Sequence, residues 1–228
     1  TFFAGKISAN ALAALAQTFP VYFIIIALGV GLSIGTTSFI ANSIGEKDNR
    51  KASYFLAQSI ILSIIVALIV TITGIYLGPH IIFLMNKSLV TLNLSMDYLN
   101  IIFLGSILIF LQMCFNSSLS AMGDTKSNMK VLIFTFFLNI FLNPLFIFGY
   151  GIIPAMGIKG IALSTIVCQF FGALYIIYRT SKTYLINHLY PKCFLPKIEI
   201  LKDLLTQGIP ASIGMMMISI GFFIILFF

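Results

Sequence analysis

The sequence predicts an all-α integral membrane protein, a polytopic bundle of about six helices. Three observations carry that prediction. Hydrophobic residues make up 60% of the 228 residues and charged residues only 8%, and the mean hydropathy is +1.09. A soluble domain of this length carries about a quarter charged residues. Uncharged stretches long enough to cross a bilayer, roughly 20 residues each, recur along the chain. They are continuous apolar runs, not the alternating segments of about ten residues found in a membrane β-barrel.

The elements follow in order. Residues 7–45 contain no Asp, Glu, Lys or Arg. This is long for one crossing, so the first complete span is placed within 14–40, with a turn before it. Residues 52–79 form the next span, ending at Gly78-Pro79. Residues 98–122 follow, stopped by Gly123-Asp124. Then comes 129–149, ended by Gly149 and a turn region holding Gly151, Pro154 and Gly157. Residues 160–178 form the fifth span, and the last begins near Leu204 and runs to the end. Gly and Pro after a span are helix stop signals. Residues 182–203 carry charges, Pro191, Pro196 and His188, and read as a linker between two bundles. The chain opens on Thr1 rather than Met and closes on an apolar run at 221–228, so both ends read as cut.

Charge gives orientation. The net charge is +7. Lys47, Arg50 and Lys51 lie in the first connection, Lys126 and Lys130 in the third, and Arg179, Lys182, Lys192, Lys197 and Lys202 in the fifth. These alternate connections hold ten of the thirteen Lys and Arg. The positive-inside rule makes them cytoplasmic. Nucleic-acid binding needs a basic face on a solvent-exposed domain, and no domain here is large enough. Tyr54, Tyr76, Tyr98, Tyr150 and Tyr178 fall near span ends, where an amphipathic ring prefers the interface. The Ile44-Gly45-Glu46-Lys47 segment echoes Met122-Gly123-Asp124-Thr125, each a Gly-capped hairpin with an acid at the next helix start. Cys114, Cys168 and Cys193 are far apart, with no metal-ligand spacing, and read as buried thiols.

Any chemistry must come from polar residues inside the spans. No acid or base sits mid-span, with Asp97 at a span boundary. His80 and His188 lie outside the spans, and no HExxH, GxSxG or P-loop pattern occurs, so the chain is not read as an enzyme. Amides remain. Asn139 and Asn143, four apart, share a helix face, and Pro144 removes a backbone donor and frees a carbonyl. Two amide oxygens and a freed carbonyl suit a hard cation or a hydrogen-bonding patch. Gln112 and Asn116 are also four apart, as are Thr165 and Gln169, while Asn10 and Gln17 are seven apart. Each pair alone reads as interhelical glue, worth roughly 0.6 kcal/mol. Four stripes together read as helices facing one aqueous cavity. Pro20 and Pro210 sit within spans and can kink them. Gly31 and Gly35 have a close-packing spacing, and Met215, Met216 and Met217 read as lipid-facing filler.

These residues resemble a known family. Ser120-Ala121-Met122-Gly123-Asp124-Thr125-Lys126, the stretch from Asn139 through Asn143-Pro144 to Gly149, and Pro154-Ala155-Met156-Gly157-Ile158-Lys159-Gly160-Ile161-Ala162 are similar to the MATE (multidrug and toxic compound extrusion) transporters. Phe2-Phe3-Ala4-Gly5-Lys6 and the Gly45 hairpin agree. The resemblance runs over essentially the whole chain. It implies about one six-helix lobe, lacking most of the first helix, of a twelve-helix transporter. Residues 1–181 would form the N-terminal lobe, 182–203 the cytoplasmic inter-lobe linker and 204–228 the start of the C-terminal lobe. It implies a monomeric, multi-pass protein of a bacterial-type plasma (inner) membrane. Its partners would be the lipid bilayer and a small-molecule substrate, not nucleic acid.

The implied function is secondary antiport. Cationic or amphipathic small molecules leave in exchange for Na⁺ or H⁺ by alternating access, with no cofactor besides the coupling ion. Asn139 and Thr165 match an Asn and a Thr of the family's ion site, and Asn143 stands where many members carry Asp, so the implied site has lost a negative charge. An acid of the first helix would fall just before Thr1. Gln17, Pro20, Gln112, Asn116 and Gln169 would line the cavity. Three alternatives stand beside this reading. A lipid-linked oligosaccharide flippase of the same superfamily would carry cationic cavity residues, which the spans lack. An intramembrane enzyme would need a His, Asp or Glu inside the membrane segments. The third alternative is a non-transporting membrane subunit.

Overall fold

A backbone in hydrocarbon finds no water to bond, so each crossing segment must satisfy its own N–H and C=O groups. The computed structural model meets that demand with helices. It describes residues 2–85, 88–151 and 154–227. In order, the helices are α1 Phe2–Ile7, α2 Ala9–Gly45, α3 Asn49–Met85, α4 Leu89–Ala121, α5 Thr125–Phe148, α6 Ile158–Ser181, α7 Tyr184–Asn187 and α8 Ile198–Phe227. Six of them (α2 to α6 and α8) are long and apolar enough to cross a membrane. The six spans therefore fall where expected, but most of their ends do not.

Helices α2 and α3 have 37 residues each and α4 has 33. At 1.5 Å per residue they are about 50 to 55 Å long, well beyond the ~30 Å of hydrocarbon. The length rule bounds only the part in lipid, and the helices continue past it. The turn expected before residue 14 is helical from Ala9, where the Ser8 hydroxyl caps the Ala11 N–H at 3.0 Å. Helix α4 starts nine residues before the expected boundary, so Asp97 lies two turns inside it and pairs with Lys159 at 3.2 Å. Tyr98, beside it, is buried and packs in the core. Gly78-Pro79 does not stop α3, which continues to Met85 and takes His80 into its last turns. The missing Pro79 donor costs one hydrogen bond, whereas ending the helix in lipid would free several groups.

The basic connections gather at one end of the bundle. Buried Ile40, Ala52, Phe55, Leu56 and Leu185 pack together there, with Ala121, Met122 and Ile200 against them. The two short hairpins have the same build, offset by two residues from the echo seen in the sequence. Lys47 (φ 59°) and Gly123 (φ 85°) hold the left-handed position. Asp48 and Asp124 then cap the next helix by accepting from Lys51 N (2.9 Å) and Ser127 N (3.1 Å). Gly45 is the last residue of α2.

Residues 182–203 dock on the bundle. Helix α7, a 3₁₀ turn at Pro191–Phe194 and the first turn of α8 occupy this stretch. Gln58 of α3, fully buried, donates from Nε2 to the carbonyls of Cys193 (2.7 Å) and Leu195 (2.8 Å), and its Oε1 accepts from Lys197 N (3.0 Å). Cys193 is only half-buried in this turn, while Cys114 and Cys168 are buried.

Helix α4 packs on α2, α3 and α6, and carries buried Leu99, Ile102, Phe103 and Phe110 into the core. Helices α2 and α8 cross with almost no side chain between them. A Cβ on Gly35 would stand 2.6 Å from Leu204 O, and one on Gly208 2.7 Å from Gly31 O. The Gly31/Gly35 spacing is thus a packing device. Helix α5 packs chiefly on α6. Gly160 lies so close to Phe146 that a Cβ would meet its carbonyl oxygen at 2.5 Å, which fixes α6 against the end of α5.

Candidate ion and substrate site

The amide stripe of α5 faces α6. Asn143 Nδ2 donates to Asn139 Oδ1 at 2.6 Å, as the four-residue spacing requires. Ser164 Oγ donates to Asn143 Oδ1 at 2.5 Å. Asn139 Nδ2 reaches Cys168 Sγ at 3.8 Å. A directional chain results, Ser164 to Asn143 to Asn139 to Cys168, in which each amide both accepts and donates. Pro144, inside α5, leaves the Ile140 carbonyl without its usual donor one turn earlier.

Thr165 donates to its own helix at Ile161 O (2.9 Å). It shares an open cleft of about 690 Å³ with Thr135, Asn139, Cys168 and Gln169, walled by Leu132, Phe136 and Phe137. A second cleft of about 260 Å³ joins it at Leu132 and Gln169 and takes in Tyr22, Gln112, Met113, Asn116 and Asn128. Gln112 Oε1 and Asn116 Oδ1 are buried there without a hydrogen-bond partner. Two oxygen acceptors left unpaired away from water are costly, about 1–3 kcal/mol each.

The structure therefore brings Asn139, Asn143, Thr165, Gln112, Asn116 and Gln169 into one polar region between α4, α5 and α6. Gln17 and Pro20 line neither cleft. Pro20 is buried against α8, its carbonyl accepting from Ser219 Oγ at 2.7 Å, and Gln17 Oε1 is buried without a partner. Sequence reasoning missed Ser164, the hydroxyl that touches Asn143. Its spacing of four to Cys168 was the available signal, one residue out of step with Thr165 and Gln169.

Six helices long and apolar enough to cross a membrane, with an amide-lined cleft among them, define a multi-pass helical membrane protein. The family model described as MatE matches residues 1–145. The probable multidrug resistance protein NorM of Thermotoga maritima is 32% identical over 225 residues, 97% of this chain and 47% of that protein. A FAD transporter of Shewanella oneidensis is 32% identical over 167 residues, 73% of this chain and 37% of its own length. Among solved structures, the inward-facing conformation of a multidrug resistance MATE family transporter of the MOP superfamily aligns with a TM-score of 0.88 at 31% identity, covering 97% of this chain and 50% of that one. The outward-facing conformation aligns at 0.86 and 31% identity, covering 96% and 48%. The chain belongs to the MATE family, whose members are transporters and not enzymes, and it spans half or less of the length of these relatives.

Proposed function

We propose that the complete protein is a secondary antiporter of a plasma membrane, exporting cationic or amphipathic small molecules in exchange for an ion by alternating access. The observation that carries this reading is the polar cleft between α4, α5 and α6, with its amide chain and its two unpaired amide oxygens. Relatives named for multidrug resistance and export support the substrate class. This one lobe aligns almost equally well with an inward-facing and an outward-facing structure, as expected of a lobe that rocks as a rigid body.

The residues lining the cleft include no carboxylate and no imidazole. Amides and hydroxyls do not exchange a proton near neutral pH, but their oxygens suit a hard cation. Na⁺ would be held there by Asn139, Asn143 and the hydroxyls of α6, whereas H⁺ coupling would need a carboxylate from outside these residues, as the first-helix acid implied by the family resemblance would supply. In vesicles carrying the complete protein, Asn139→Leu is expected to abolish ion-driven efflux of a cationic dye while leaving expression intact. Unchanged efflux would remove Asn139 from the mechanism.

A second reading concerns the cargo. Without a carboxylate in the cleft, a cation gains no direct charge partner there, and a relative is named for FAD transport. A neutral or anionic aromatic amphipath is the alternative. Competition between FAD and the dye in the same vesicles separates the two.

A further inference from the structure

The α5–α6 pair has a second groove, on the other side from the polar cleft. It holds about 360 Å³ and is lined by Lys130, Val131, Phe134, Phe171 and Tyr175. It shares no residue with the two polar clefts. Lys130 and Phe134 are four apart on one face of α5. Leu132, Phe136 and Asn139 form the cleft face, displaced by two residues, or about 200° around the helix. If the cleft faces the aqueous interior, this groove faces lipid.

The groove is amphipathic along its length. Phe134 and Phe171 are 54% and 45% exposed, so their rings wall an open trough rather than a closed core. Buried Val131 forms the floor, beside Leu119 and Ile176. Lys130 stands toward the basic end of the bundle, with Lys126 one turn nearer that end, and both are exposed. Neither belongs to the ion pairs among the described residues, where the nearby Asp124 is taken by Arg179 at 3.0 Å. A cationic head over an aromatic trough, opening sideways between two membrane-spanning helices, complements one ambient molecule: a lipid with a negative headgroup and an apolar chain.

We propose that this groove is a binding site for an anionic phospholipid of the leaflet at the basic end, with its phosphate at Lys130 and Lys126 and an acyl chain between Phe134 and Phe171. The inference is independent of what the protein transports. The full-length protein is purified in detergent and titrated with phosphatidylglycerol or phosphatidylcholine of identical chains, and bound lipid is counted by native mass spectrometry. One phosphatidylglycerol is expected to be retained in preference to phosphatidylcholine. Lys130→Gln should cut that preference about fivefold, the effect of one interfacial cation, and Phe171→Trp, which fills the trough, should weaken both lipids. Lys192→Gln, at the same end but away from the groove, should change neither, and the melting temperature of each variant reports folding. The proposal is overturned if Lys130→Gln leaves the preference unchanged, or if Lys192→Gln lowers it equally, the mark of diffuse attraction to a basic end. It is also overturned if a cysteine at position 134 cross-links to another segment of the full-length protein, because the groove is then an internal interface.

Discussion

Asp124 shows how one carboxylate can hold two helices. Its Oδ1 caps α5 through Ser127 N, and its Oδ2 accepts from Ser127 Oγ (2.7 Å) and from Arg179 Nη2 (3.0 Å) at the end of α6. The Ser127 hydroxyl, then the Arg179 guanidinium, hold its carboxyl below the usual range against the opposing effect of burial. A lowered folded pKa stabilises the fold above the unfolded carboxylate pKa, near 4, and this contribution is lost as pH falls through the lower folded value. The clasp is therefore insensitive to pH from about 5 upward. Asp124→Ala removes cap and ion pair together. Thermal unfolding in detergent is expected to report a loss of about 1–2 kcal/mol, most of it from the cap, because the partly exposed ion pair adds little. The aspartate was visible in the sequence as part of a hairpin echo. Its partner on α6 was not, because 55 residues separate them and only the packing of α6 on α5 brings Arg179 across.

At the scale of elements, hydropathy located every span and misjudged most of the ends. Apolar length measures the part of a helix in hydrocarbon, whereas helix ends are set by caps such as Ser8 and Asp124. Pro79 misled for a related reason, since proline breaks helices in water, where freed groups are solvated, and bends them in lipid. The amide stripe on α5 was legible because a spacing of four is local. Which hydroxyl of α6 meets it depends on how α6 is rotated against α5, and that is fixed by the backbone contact at Gly160. The same kind of contact governs α2 and α8. Gly35→Val would drive two methyls into the Leu204 carbonyl, and a loss of about 1–3 kcal/mol is expected from overpacking. Gly45→Val at an open position is the control. Equal melting temperatures for the two variants would refute the close crossing.

For the whole molecule, charge bias and packing agree on one polarity. Ten of the thirteen Lys and Arg belong to connections that meet at one end, while the Asp97–Lys159 pair marks the other. If that basic end is cytoplasmic, a membrane-impermeant thiol reagent added to intact cells should label a cysteine placed at Ala155 and spare one placed at Lys126. The reverse pattern would invert the topology. Orientation was legible because Lys and Arg are costly to translocate. The docking of residues 182–203 was not, since composition marks that stretch as a polar loop while buried Gln58 on another helix and the apolar cluster around Leu185 hold it.

That side chain, Gln58, decides where the chain can be cut. A long, charged, proline-bearing connection is where an engineer would split a gene or insert a reporter. Between 193 and 197 such a cut would orphan two carbonyls, one N–H and the buried amide that serves all three. A few residues earlier the load is different in kind: Leu189 packs on the buried cluster at this end, and the Tyr190 carbonyl accepts from Cys193 N at 2.8 Å.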